Sequence, residues 1–276
     1  LAGVGQEWLN HHQGWNGARR SLAAKNYLRY GYIDSKLGSM DNLGEHYNAQ
    51  GRADKYDYFW HHPPMTNILL SFAFALFGES PTVARLLAAC LSWVSFLFMF
   101  LALKRLWGLE ATFYSLFFLS FIPIYCTYLN FVNHETVLIF SMFGMIASYE
   151  QFLKGGRRIF AALVFVFMFM GAFADFPMFP FLFFFWFFTG VARLSGGARQ
   201  YRFHLLYVSM VALTLLVVSL HLASMQGSMS SFYQLFLNRH EMPDGADLSY
   251  KRLLAHWDYY YAFFSPLVYL FSLIYI

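Results

Sequence analysis

Two adjacent imidazoles stand directly before two prolines in Asp57-Tyr58-Phe59-Trp60-His61-His62-Pro63-Pro64-Met65. Proline fixes φ and needs no amide donor, so the pair predicts a rigid turn that starts a helix and fixes the direction of both histidines. Beside an anionic headgroup these side chains could bind a phosphate or pass a proton, with Asp57 in the same turn. The plainer alternative is a stiff turn with interfacial histidines. Asn133-His134-Glu135 opens an apolar stretch. Its carboxylate gains from the helix dipole as a simple cap, and could equally act as a general base on a hydroxyl at the membrane boundary. Asp175-Phe176-Pro177 is a tight turn in which Asp175 could cap the helix that Pro177 begins. His11-His12-Gln13-Gly14-Trp15-Asn16 holds another histidine pair. Adjacent residues do not share a helix face, and no His, Cys and Asp spacing specific to a metal site occurs. A divalent metal remains possible, and no cofactor is otherwise indicated.

The elements that must position these residues are membrane helices. Of 276 residues, 58% are hydrophobic and 12% charged, against about a quarter charged in an ordinary soluble domain. The apolar residues fall in long blocks, several exceeding the ~18 that mark a membrane-helix candidate. We expect an all-α polytopic protein with spans near 81–103, 110–129, 134–153, 158–175, 177–194, 203–223 and 258–276. Residues 1–80 then form a first outer loop, 81–223 a six-helix core, 224–257 a second outer loop, and 258–276 a final span. Within the first loop, Trp15, Ala18, Leu22, Ala23 and Leu28 suggest an amphipathic helix on the membrane surface over 15–30, stopped at Gly31. Residues 34–57 read as irregular, and 65–77 as a short interfacial helix ending near Gly78. Cys90 and Cys126 lie in apolar stretches and read as small buried hydrophobes. The chain starts at Leu1 without Met and ends inside an apolar run, which suggests a fragment with a preceding membrane helix.

Charge distribution orients the bundle. Lys104 and Arg105, then Lys154, Arg157 and Arg158, then Arg193, Arg199 and Arg202 occupy alternate short loops. The positive-inside rule makes these cytoplasmic and the two long loops extracytoplasmic, with Tyr125, Tyr128, Trp257 and Tyr259 to Tyr261 at the outer interface. Of the 15 acidic residues only Glu110 and Glu150 then fall inside. A net charge of +4, scattered along the chain, gives no nucleic-acid footprint.

The stretch His61–Leu91, HHPPMTNILLSFAFALFGESPTVARLLAACL, resembles the "HPPL…lfG.s…aRl" signature of GT-C membrane glycosyltransferases. The relatives are the protein O-mannosyltransferase-like and aminoarabinose transferase-like families. Trp15–Tyr32, WNGARRSLAAKNYLRYGY, resembles their first outer loop, and Glu135 falls where they place a second carboxylate. The resemblance runs over residues 10–200. It implies transfer of a sugar from a polyprenyl-phosphate carrier to a glycan, lipid or protein acceptor outside the cytoplasm, by an integral protein of an inner or plasma membrane. It also implies histidines offsetting the leaving phosphate, here His61 and His62, with Asn16, His134 and Asp175 lining the cavity.

One departure stands out. The family's first-loop Asp precedes an "A-R-N" element, matched by Ala24-Lys25-Asn26. Counting back by the family's spacing lands on Asn16, with Gln13 nearby. Neither can be a base. Glu7 or Asp34 could replace the missing acid, or Glu135 could carry the role, or the protein could be a catalytically altered scaffold. Glu135 is the preferred base and Glu7 the reserve. A transporter or flippase of a lipid-linked substrate is the other alternative. It would place ionisable residues near the middle of the spans and show inverted repeats, neither of which the sequence has.

Overall fold

The computed structural model describes residues 5–8, 12–40, 46–47, 53–54, 58–59, 62–122, 129–191 and 198–226. Asp57, His61, Cys126, residues 227–257 and the expected span 258–276 lie outside these. Helix α1 runs His12–Tyr30 and ends at Gly31, whose φ of 86° and bond to Tyr27 O close the last turn. Residues 39–59 hold two short antiparallel pairings. Strand β1 (Ser39–Met40) pairs with β4 (Tyr58–Phe59), and β2 (His46–Tyr47) with β3 (Ala53–Asp54). Helix α2, Met65–Phe77, begins after Pro64 and stops at Gly78, φ 87°.

Helix α3, Pro81–Ser120, is capped by Ser80 Oγ, which accepts from Val83 N at 3.2 Å. It is broken at Gly108, where φ is 82°. Helix α4 runs His134–Gly155 and ends at the left-handed Gly156; α5 is Arg158–Ala172, α6 Met178–Val191 and α7 Ala198–Gln226. Among the described residues, three helices are long and apolar enough to cross a membrane: Pro81–Arg105, His134–Gly155 and Arg202–Met225. At 1.5 Å rise per residue each exceeds the ~30 Å of hydrocarbon. Helices α5 and α6, expected as spans, are only 15 and 14 residues long. The turn 173–177 takes up chain that the apolar pattern assigned to helix.

The larger core lies between α4, α5, α6 and α7, around Met145, Met168, Phe167, Leu182, Tyr207 and Leu222. Tyr207 OH donates to Leu182 O at 3.0 Å, tying α7 to α6. At Gly144 an added Cβ would meet the Phe167 ring, so the missing side chain lets α4 and α5 pack closely. A smaller core joins α1, α2 and α3 through Ala24, Leu70, Phe74, Ala84 and Ala88.

In α1, Trp15 and Leu28 of the expected apolar stripe are exposed and Ala23 is buried, alongside Asn16, Arg20, Asn26 and Tyr27. One sequence expectation needs correction: Cys90 is exposed, on the same side of α3 as Trp93, Val94 and Leu97. A bundle in lipid can leave apolar groups outside, and it is the polar groups that must find partners within.

Candidate active site

Three backbone turns bring the chemistry-bearing residues together. The His62-Pro63-Pro64 turn is anchored by Met65 N, which donates to Phe173 O at 2.8 Å. This main-chain bond fastens the start of α2 to the α5–α6 turn and sets His62 beside Asp175. The α5–α6 turn is shaped by Ala174 N and Asp175 N, both donating to Gly171 O at 3.0 Å. The third turn is the start of α4. Asn133 occupies its N-cap position but makes no side-chain cap. Its Oδ1 instead accepts from Arg20 Nη2 at 3.3 Å, drawing α1 onto the end of α4.

His62 Nδ1 donates to Asp175 Oδ1 at 2.9 Å. His134 Nε2 lies 3.3 Å from Asp175 Oδ2 and 3.4 Å from Glu135 Oε1. Arg20 Nη2 donates to His134 Nδ1 at 3.0 Å. The two imidazoles stack with centroids 3.7 Å apart and planes 20° from parallel. His134 and Asp175 are buried, at 8% and 6% exposure, and Arg20 at 4%. His62 is half-buried, and the Glu135 side chain is 44% exposed. Glu135 Oε2 makes no hydrogen bond among the described residues.

Asp175 shows which force wins. Burial alone would raise its carboxyl above the usual range. The His62 bond, the charge interaction with both histidines and the Phe176 N–H at 2.9 Å outweigh that and hold it below. Asp175 is thus an anion fixed between two imidazole rings. It bonds the amide of Phe176 rather than the first turn of α6, so its carboxylate is committed to the histidines.

The donor atoms of His62, His134 and Asp175 lie within 4.8 Å of one another, a spread a metal would tolerate. The proton inventory does not fit one. A metal on one ring nitrogen of His134 needs the other to keep its N–H and donate it outward. Arg20 carries only donors and already points at Nδ1. Arg20–His134 and His62–Asp175 are hydrogen bonds, and His134 Nε2 faces both carboxylates at ion-pair distance, an arrangement of fixed donors rather than a ligand set.

Other expected residues fall as follows. Asn16 is buried in α1, one turn before Arg20 on the same face. Glu7 is exposed. Arg85 of α3 donates to Glu7 O at 3.2 Å and to Gln6 O, and its guanidinium lies 4.4 Å from the Trp8 ring. That contact ties Glu7 to the start of α3, not to the histidines. Arg20 was missed in the sequence; its signal was an arginine four residues after a polar Asn16, on the face that closes onto α2. Beside the cluster lies an apolar pocket between α2, α3 and α4, lined by Leu70, Leu87, Val132 and Val137, with Thr66 and Asn133 among its polar members.

The arrangement can hold a negative group near His62, offer a carboxylate oxygen at Glu135, and keep charge balanced through Asp175. A solved structure with the same fold is ArnT from Cupriavidus metallidurans in the apo state. The TM-score is 0.51 at 16% identity, covering 83% of this chain and 38% of that one. The chain therefore spans well under half the length of that protein. No curated protein matches at significance. Residues 61–223, more than half of the chain and including His62, His134, Glu135 and Asp175, match the family described as dolichyl-phosphate-mannose-protein mannosyltransferase, and the chain belongs to that glycosyltransferase family of integral membrane proteins.

Proposed function

We propose that this protein moves a glycosyl group from a polyprenyl-phosphate donor to an acceptor outside the cytoplasm. The observation that supports it most is the meeting of His62, His134, Glu135 and Asp175 at one end of a membrane helix. Helix α4 starts at this cluster and ends beside Lys154, 22 residues in all, or about 33 Å. Near that far end Arg105 donates to Glu150 O at 3.3 Å. The basic loops and the cluster thus sit at opposite ends of the span, so the positive-inside rule assigns the cluster to the outer side.

In this reading the acceptor hydroxyl attacks the anomeric carbon. A new C–O bond forms there as the carbon–phosphate oxygen bond breaks, and the phosphate leaves with the electron pair. Glu135 takes the hydroxyl proton. His62 faces the departing phosphate, with His61 as its neighbour in sequence, and Asp175 holds the His62 ring in place through its Nδ1–H. Asn16 and His134 line the acceptor side in this reading. The family's name suggests mannose from dolichyl phosphate as the first donor to try.

The test is transfer by the full-length protein in proteoliposomes offered a panel of radiolabelled polyprenyl-phosphate sugars, mannose first. Release of polyprenyl phosphate from one of them is expected. Turnover only with water-soluble nucleotide sugars would reject the reading.

A further inference from the structure

Arg20 belongs to none of the constellations visible in the sequence, yet it is the most buried charged side chain at the site. Guanidinium has five N–H donors and no acceptor. Its Nη2 approaches His134 Nδ1 at 3.0 Å, so that nitrogen must present its lone pair. The one N–H of a neutral His134 is then on Nε2. That atom faces two carboxylate oxygens, Asp175 Oδ2 at 3.3 Å and Glu135 Oε1 at 3.4 Å. The opposite tautomer would place N–H against the guanidinium and a lone pair against both carboxylates, so every contact would be repulsive.

We propose that Arg20 is a positioning residue: it fixes His134 in the Nε2–H tautomer, so that one proton is shared between Asp175 and Glu135 and aims the Glu135 carboxylate. The same Nη2 bonds Asn133 Oδ1 at 3.3 Å, which holds the guanidinium in place across the start of α4. His62 is fixed in the complementary sense, Nδ1–H to Asp175, so the two stacked rings share one anion. Donor and acceptor groups alternate along Arg20, His134, Asp175 and His62, with Glu135 branching from His134. Arg20 therefore acts through His134 rather than on the leaving phosphate. This functional consequence rests on the sugar-transfer reading; the tautomer does not.

The experiment uses full-length protein, 15N-labelled at histidine, in nanodiscs, with His134 assigned by the loss of its signals in His134→Asn. Wild type is expected to show His134 Nδ1 as an unprotonated, pyridine-type nitrogen and Nε2 as protonated. Arg20→Met is expected to shift that signal toward a tautomer mixture. It should also lower turnover about 10- to 100-fold, as loss of an orienting partner does, with affinity for farnesyl phosphate retained. Arg20→Lys keeps a cation and donors. It is expected to retain the tautomer and recover most of the turnover, and it carries the test if the methionine variant does not fold. A protonated Nδ1 in wild type overturns the proposal. So does loss of farnesyl phosphate binding in Arg20→Met with the tautomer intact, which would make Arg20 a phosphate ligand. Absence of any sugar transfer in wild type rejects the functional reading while the nitrogen spectrum still decides the tautomer.

Discussion

Glu135→Gln is expected to lower sugar transfer about 10²- to 10⁴-fold, the usual worth of a positioned general base. Binding of the donor should be retained. Glutamine has the same length and keeps an oxygen facing His134 Nε2, so the packing around His134 is kept. What it loses is the basic oxygen. The Glu135 side chain is 44% exposed, although its Oε2 atom is itself buried without a hydrogen-bond partner among the described residues. The other nearby acid is in a different state, because Asp175 is enclosed and already accepts from His62 and Phe176 N. Two carboxylates a few ångströms apart thus have separate tasks, one fixed as a counter-ion and one offered to a hydroxyl. Steady-state transfer by the glutamine variant, beside its affinity for farnesyl phosphate, checks this. Undiminished transfer would remove Glu135 from the mechanism and return Glu7 to consideration.

The second large effect is at the phosphate side. His62→Gln is expected to reduce transfer about 10²- to 10³-fold, comparable to losing one donor to a developing anion. It should also weaken binding of farnesyl phosphate, which Glu135→Gln should not do. Asp175→Asn should reproduce much of the His62 defect without touching the substrate. An amide can turn its oxygen to only one of the two imidazoles, and its NH₂ then faces the other. Titration of farnesyl phosphate into both variants checks the pair. Equal phosphate affinity in wild type and His62→Gln would show that the histidine meets something else.

The helical architecture was legible because apolar blocks longer than a globular core requires have few other fates. The stops at Gly31 and Gly78 and the start after Pro64 followed from backbone chemistry, and each was found in place. The three polar turns were legible singly, as motifs at ends of apolar stretches. Their convergence was not, because it depends on long-range main-chain ties such as Met65 N to Phe173 O. The inward face of α1 was left open by the surface-helix reading, because in lipid hydrophobic periodicity no longer separates inside from outside. The buried residues mix polar Asn16, Arg20 and Tyr27 with Ala23 and Ala24, and Arg20 is the one that reaches the site. Arg20 stayed hidden in the sequence because a lone arginine in a polar helix looks like a solvated one until its partners from α4, Asn133 and His134, are known.

Photo-cross-linking decides most directly whether the His62, His134, Glu135 and Asp175 cluster is where the lipid carrier's phosphate sits. A polyprenyl phosphate with a diazirine on its first isoprene unit, bound to the full-length protein in nanodiscs, should label peptides containing residues 63–67 or 133–136. Unlabelled polyprenyl phosphate should compete and the corresponding polyprenol should not. Labelling concentrated instead near residues 150–158, at the far end of α4, would contradict it.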